Sequence, residues 1–494
     1  MGIGALFSWT PAANNASAGR EILARIGISY VSHEQACVNS ANELPANLSF
    51  TEVVERSREE WEKEILSTIE VADDGSASSS NTTLKRMLYT ALYQTGLMPT
   101  DKTGESPVGY DGIPYFDDHY TLWDTYRSLT PLYHLLYTGT YSRVIKGLIS
   151  IFTVERWLPA GRIANWNGRV QGGTHADMVL ADAYVKNNGE LADDIDWHEA
   201  YRAVLNDALE EPVHNVDTAT FDGATKEGRG ALDDYLSLGF ITRNHTRSIS
   251  RGVEYSQNDF AIYSMSKTLS KDSTQISDFL NKSSWWQNQW SQSANTSLYI
   301  PSISNSTSNT TFTGFPAPRN SDGTCNFTAY DPLSCGSCGW ADDIYEAKPW
   351  ETAFGAAPHD MSTIIKLMGG EEKFIQRLDA SFIPGLGSSV GANNDAGTAL
   401  FNPGNEPSFL TPYLYNYVSG YQWKTVQRTR KIVDQYYSDE RNGYPGNIDG
   451  GALPSWLIFN LIGLVSTPLH RFSTFEAGHA NVMTSSPSQH SPYT

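Results

Sequence analysis

Asp117-Asp118-His119-Tyr120, running into Leu122-Trp123-Asp124-Thr125-Tyr126-Arg127, opens a stretch in which a helical pattern near 120–136 is followed almost at once by another near 140–157. Two helical patterns with so short a link read as paired helices. The alternation of helical pattern with Gly/Pro/Asn-rich loop begins earlier, near 84–97. It continues near 174–187, 197–211, 228–237, 257–270, 275–291, 358–368, 371–380, 408–418, 422–438 and 452–465. With few strand signals among them, these predict a mainly α fold of helical hairpins, because an amphipathic helix without a sheet at hand buries its stripe on another helix. No fixed-period repeat is visible, which favours a closed toroid over a solenoid.

Ahead of this region, Ile26-Gly27-Ile28-Ser29-Tyr30-Val31 is apolar and β-branched and reads as a strand. One or two strands cannot bury their faces alone, so residues 1–42 are expected to be the remnant edge of a sheet. Ser49-Phe50-Thr51-Glu52 is a capping box that starts a helix over 53–69, within a linker segment assigned to 43–80. The Ser/Thr/Asn-rich stretch from Ser293 to Asn326 reads as a long surface loop bearing glycans.

Acidic residues outnumber basic ones 55 to 35, for a net charge of −20. Such a surface repels nucleic acid and anionic membranes, and nucleic-acid binding is excluded as a function class. No window has the roughly 18 uninterrupted apolar residues of a membrane span. The 13 Trp, 26 Tyr and 19 Phe exceed what a polar binding surface needs; most belong to a core, and the rest suit the apolar faces of sugars. Of four cysteines, a disulfide is expected within Cys325 to Cys338, with Cys37 free and buried; Cys335-x-x-Cys338 lacks the second pair a structural zinc site requires. Sequons at Asn15, Asn47, Asn81, Asn244, Asn281, Asn295, Asn305, Asn309 and Asn326 point to the secretory pathway, although the first residues show no signal peptide.

Chemistry is carried by acids in Gly/Pro-rich turns that run into helices. These are Tyr345-Glu346 through Trp350-Glu351 to His359-Asp360, then Gly404-Asn405-Glu406-Pro407, then Pro445-Gly446-Asn447-Ile448-Asp449. Two carboxylates facing one cleft are the minimum equipment for cleaving a glycosidic bond. Each acid taken alone reads more often as a helix cap, and it is the three turns together that point to a sugar site. Asp124 and Arg127, three apart beside Trp123, share a helix face and could grip a sugar, or form an intrahelical ion pair. Asn165-Trp166-Asn167-Gly168 with Gly173-Thr174-His175-Ala176-Asp177 is a second polar turn, and Arg251-Gly252-Val253-Glu254-Tyr255 a third. His175 alone is more often structural than catalytic.

These ordered motifs, with Leu367-Met368-Gly369-Gly370, Pro412-Tyr413-Leu414-Tyr415-Asn416 and Ser455-Trp456, resemble glycoside hydrolase family 92, in its fungal branch of exo-acting α-mannosidases, from about residue 24 to about 465. The resemblance implies an (α/α)6 barrel catalytic domain over 81–465, preceded by what remains of an N-terminal β-sandwich. It implies a calcium-dependent, inverting hydrolase of terminal mannose, mostly α-1,2-linked, acting on mannosyl oligosaccharides or glycoprotein glycans. By that resemblance Glu346 is the general acid and Asp449 the general base. Asn405 and Glu406 are associated with the metal. Trp123, Asp124, Arg127, Glu406, Asn447 and His175 are associated with the bound mannose. Two departures are Ile448, where many members carry an acid, and Asn447, where some carry a second aspartate. The tail 466–494 does not resemble the family, so the chain reads as clipped at both ends. The competing expectation is therefore a catalytically impaired, mannose-binding homologue.

Overall fold

The computed structural model of the chain describes residues 23–72, 79–110, 112–168, 171–213, 226–270, 272–301, 307–387 and 398–465, with two short backbone segments at 473–474 and 482–483. The chain divides into two units, residues 1–57 and 58–494.

Within the first unit the strand expected at Ile26–Val31 is not formed: the run is exposed and joins no ladder among the described residues. It passes instead across the helix His33–Glu43, which the strand reading had assigned to a sheet remnant. The crossing is close enough that a Cβ on Gly27 would lie 1.9 Å from the Ala36 carbonyl oxygen, so an apolar run with glycine in it serves as a strap. Arg25 ties the strap to the Leu48 carbonyl at 2.9 Å. Ser32 caps the helix by accepting from the Gln35 amide. The capping box at Ser49 and Glu52 forms as its spacing predicts: the Ser49 amide donates to Glu52 at 2.7 Å and the Glu52 amide to Ser49 Oγ at 3.3 Å. Cys37 lies exposed on the His33–Glu43 helix, correcting the expectation that it is buried.

The second unit is mainly helical. Its longest helix, Ser248–Leu269, packs against His175–Lys186, Trp197–Leu209 and Ser273–Lys282. This helix begins nine residues before the expected 257, because Arg251, Glu254 and Gln257 look like turn residues yet are buried within it. The Arg251–Tyr255 turn is thus corrected to helix interior. A helix that buries polar groups faces a polar interior, and here that interior is the site described below. Ala452–Ile462 is apolar and buried almost throughout, and it packs on Ser79–Thr95. Among the described residues, the last helix of the unit therefore rests on its first long one.

The pattern near 120–136 breaks into one turn, Leu122–Thr125, and a helix, Leu129–Leu136. Pro131 cannot sit against the carbonyl four residues back in a continuous helix, so the chain restarts. The expected loop from Ser293 is largely a β-hairpin, Trp290–Pro301 paired antiparallel with Thr307–Pro316. Its period-two signal is hidden in Ser and Thr. Ala294, Leu298, Phe312 and Phe315 turn inward onto the core, and the sequon residues Asn295 and Asn309 turn outward. Phe312 meets the buried Trp350 edge-on at 5.2 Å, on a helix (Pro349–Gly355) that the sequence reading missed. Cys335 and Cys338 form the disulfide, leaving Cys325 half-buried and free. No described helix is long and apolar enough to cross a membrane.

Candidate active site

Three separate turns bring three acids together. Asp124 rides on Leu122–Thr125, Glu406 opens the short turn Glu406–Ser408, and Asp449 opens Asp449–Gly451. One carboxylate oxygen from each lies within 4.8 Å of the others. The last turn depends on its glycines. Asp449, Gly450 and Gly451 all have positive φ (38°, 64° and 105°), and a Cβ on Gly451 would meet the Thr95 backbone at 3.3 Å. Only glycine takes such angles cheaply, so the strain at Asp449 is held by the packed turn behind it.

Glu346 reaches the cluster from a fourth segment. It too is left-handed, at φ 56°. Its amide donates to the Cys338 carbonyl at 3.1 Å, and its carbonyl accepts from Asn405 Nδ2 at 2.7 Å. The amide of Tyr345 donates to Ser250 Oγ at 3.0 Å, anchoring the turn to the long helix. The neighbour of Glu406 thus holds the backbone of Glu346.

Burial pushes all four acids upward, and repulsion from neighbouring acids adds at Asp124, Glu346 and Glu406. Asp124 and Glu406 are fully buried and rise well above the carboxylate range, first by burial; the charges of Asp449 and Glu346 then add at Asp124, and those of Asp124 and Asp449 at Glu406. Burial lifts Asp449 to about 6. Glu346 is raised to about 7 by burial, with the Tyr345 hydroxyl opposing and the charge on Asp449 adding.

The site also has more buried acceptors than donors. Asp124 Oδ1, both oxygens of Glu406 and Asn405 Oδ1 find no hydrogen-bond partner among the described residues. Glu406 and Asp449 lie close enough to hydrogen-bond, but two carboxylates do so only by sharing a proton. Unmet buried oxygens on this scale are costly unless a hard cation satisfies them. Two oxygens bound to one calcium at about 2.4 Å lie at most about 4.8 Å apart, so the donor set fits such an ion. The set is wider than the expected Asn405 and Glu406, since Asp124 and Asp449 join it.

The walls are aromatic. Trp123 is buried, with its ring edge-on to His175 at 5.2 Å and to Tyr345 at 6.2 Å. Glycine at 172 lets the chain pass here, since a Cβ there would lie 2.3 Å from the indole. Arg127 lies over Trp123 at 5.1 Å and pairs with Glu254 at 3.2 Å, rather than with Asp124. Glu254 also holds His175 Nε2 at 3.0 Å, and His175 stacks on Tyr126 at 4.8 Å. Although burial works to raise the Glu254 carboxyl, Arg127 and His175 outweigh it and hold it below its ordinary value. His175 is thus buried behind Trp123 with one nitrogen committed, while Asn447 is exposed, two residues before Asp449. A cavity adjoins, with Arg127, Glu406, Gln257 and Trp456 on its walls.

Two residues were given no role from sequence. Glu254 was read as part of a turn, and only the fold shows that it orients both Arg127 and His175. Tyr120, half exposed at φ 52°, stands in the field of all four acids. Its adjacency to Asp118 and Trp123 was the available signal.

A helical domain that gathers carboxylates of unequal acidity between aromatic walls has the equipment of a glycoside hydrolase. The chain belongs to glycosyl hydrolase family 92, whose catalytic domain matches residues 35–471. It is 33% identical over 465 residues to an uncharacterized secreted glycosidase of Arthroderma benhamiae, covering 90% of this chain and 51% of that protein. It superposes with a TM-score of 0.72 and 25% identity on a family 92 α-mannosidase of Bacteroides thetaiotaomicron in complex with mannoimidazole, covering 90% of this chain and 54% of that one. A family 92 inverting mannosidase of the same bacterium matches at TM-score 0.69 and 23% identity, over 88% and 55% of the two chains. The chain spans about half the length of each of these relatives.

Proposed function

We propose that the protein is an inverting exo-α-mannosidase, removing terminal α-1,2-linked mannose from mannosyl oligosaccharides or glycoprotein glycans. The reading rests on the convergence of Asp124, Glu346, Glu406 and Asp449 at one site. The mannosidase relatives support it, as does the first-to-last helix packing that an (α/α)6 toroid requires. Glu346, up at about 7, keeps its proton near neutral pH and gives it to the glycosidic oxygen as the bond breaks. Asp449, titrating lower at about 6, takes a proton from the water that attacks the anomeric carbon from the opposite face. Asp124 and Arg127 hold hydroxyls of the terminal mannose beside the Trp123 ring, and His175 and Glu254 fix that wall. Asn447, exposed and two residues before Asp449, offers its amide to the sugar. Asn405, Glu406, Asp124 and Asp449 would hold calcium, which when bound supplies positive charge beside the sugar hydroxyls. The sequons and the secreted relative support a place in the secretory pathway.

The test is release of mannose from α-1,2-, α-1,3- and α-1,6-mannobiose, followed by NMR. The α-1,2 linkage should be cut fastest and β-mannose should appear first. Glu346→Gln should cut kcat by about 10²–10⁴, and chelation of calcium should abolish turnover. A first product in the α configuration would overturn the inverting mechanism. Full activity in Glu346→Gln would overturn the acid assignment. Binding without turnover by the folded native chain would favour the impaired homologue.

A further inference from the structure

We propose that the outer face of the hairpin Arg162–Asn167 seats the sugar on the leaving-group side of the scissile bond, with the Trp166 indole as its platform. This deepens the mannosidase reading and rests on it.

The hairpin is built inside out. Arg162 pairs with Asn167, and Ile163 with Trp166. Alternation along a strand sends the two pairs to opposite faces. The inner face is polar and locked. Arg162 is fully buried and donates to both oxygens of Glu155 at 2.9 and 2.6 Å, to Asn167 at 2.6 Å and to the Tyr115 hydroxyl at 3.0 Å. The turn at its tip is fixed as well: the Asn165 amide donates to Asp117 at 2.7 Å and its side-chain oxygen accepts from Tyr115 at 2.9 Å. The outer face is apolar and open. Ile163 is 51% exposed and Trp166 78% exposed. A single exposed apolar residue is ordinary. Here, however, a cross-strand apolar pair faces out from a hairpin whose ions face in, on a backbone too well tied to fold the indole away.

Position supplies the occupant. The Arg162 carbonyl accepts from the Tyr120 amide at 3.1 Å, the Ala160 carbonyl accepts from the Leu122 amide at 2.9 Å, and the Ala164 amide donates to Asp118 at 3.2 Å. The hairpin therefore runs beside the segment that delivers Trp123 and Asp124 to the pocket. Tyr120, on that segment, feels Asp449, Asp124, Glu346 and Glu406 together while remaining half exposed. Tyr120 thus links the field of the carboxylates to the backbone of the hairpin. An exo-acting enzyme holds the terminal sugar at the acids, so the next sugar emerges along this path. A neutral pyranose with an apolar face suits an uncharged indole surface, whereas an anionic ligand would be repelled by the four acids.

The test compares Trp166→Ala and Trp166→Phe with the native chain on two substrates: the mannobiose it cleaves, and α-mannosyl fluoride, which carries no sugar on the leaving side. The ratio of kcat/KM for mannobiose to that for the fluoride should fall roughly tenfold in Trp166→Ala, mainly through KM, and recover largely in Trp166→Phe. In a Glu346→Gln background, calorimetry should show mannobiose binding weakened to a similar degree by Trp166→Ala, with mannose binding much less affected. Equal losses on both substrates would make the hairpin a structural prop and overturn the proposal. Unchanged kcat/KM on both substrates would also overturn it, meaning that something other than substrate covers the face. If the native chain cleaves neither substrate, the mannosidase reading fails on its own, and the two titrations still decide whether Trp166 seats a second sugar.

Discussion

Glu346 and Asp449 illustrate how one kind of side chain is given two tasks. Both are carboxyl groups on left-handed backbone, yet Glu346 is held at about 7 and Asp449 at about 6. Glu346 acts protonated, so activity is lost as pH rises through about 7. Asp449 acts ionised, so activity is lost as pH falls through about 6, and through a lower value once a cation draws its pKa down. The expected kcat/KM profile is a bell whose basic limb belongs to Glu346. In Glu346→Gln that limb should disappear and kcat should fall by about 10²–10⁴. A basic limb that survives the substitution would assign the proton to another group. The motif around residue 346 was readable in sequence, and its acid role implied a pKa raised by burial. The gap to Asp449 was not readable, because it depends on how deeply each carboxyl is packed and, at Glu346, on the charge of Asp449 103 positions away.

At the scale of elements, the loop 335–346 decides how firmly Glu346 is presented. The Cys335–Cys338 disulfide closes its start, and the Cys338 carbonyl holds the Glu346 amide. Asp342 accepts from Ser337 at 2.6 Å and from the Gly339 amide at 2.8 Å, and Trp340 packs on Tyr345 at 4.4 Å. Small displacements of a proton donor are expensive in rate. Reduction, or a Cys335→Ser/Cys338→Ser double variant, should lower kcat roughly tenfold with little change in KM, and reoxidation should restore it. Unchanged kcat would mean that Asp342 and Trp340 suffice. Two other elements show where pattern reading failed. The hairpin Trp290–Pro301/Thr307–Pro316 alternates in Ser and Thr rather than in strongly apolar residues, so it looked like loop. The start of Ser248–Leu269 buries charges that would be surface residues anywhere but beside a polar cavity.

For the molecule as a whole, the acid cluster is a liability unless neutralised. These carboxyls titrate higher folded than unfolded, so between about pH 4, their ordinary range, and the values near 6 and 7 of Asp449 and Glu346, the folded chain binds more protons. Its stability without a cation therefore falls as pH rises through that window. A cation bound by Asp124, Asn405, Glu406 and Asp449 removes the repulsion. Calcium at about a hundred times its Kd should raise Tm by about 2–4 °C at pH 7.5. The gain should be smaller at pH 5, where protons compete for the same oxygens. Scanning calorimetry with calcium, magnesium and chelator at both pH values checks this, and equal Tm in all conditions would refute a cation at these residues.

Local patterning determined that the second unit is mainly helical and roughly where its helices lie, because a buried stripe and a capping residue act over a few positions of chain. It also singled out the turns that carry Asp124, Glu346, Glu406 and Asp449. Tertiary structure alone decided that turns so far apart in sequence share one site, that Arg127 answers to Glu254, and that the hairpin bearing Trp166 faces outward. The reason is range. Hydrophobic period and turn chemistry are properties of neighbouring residues, whereas electrostatic coupling and unmet hydrogen-bonding capacity exist only once distant segments are packed against one another.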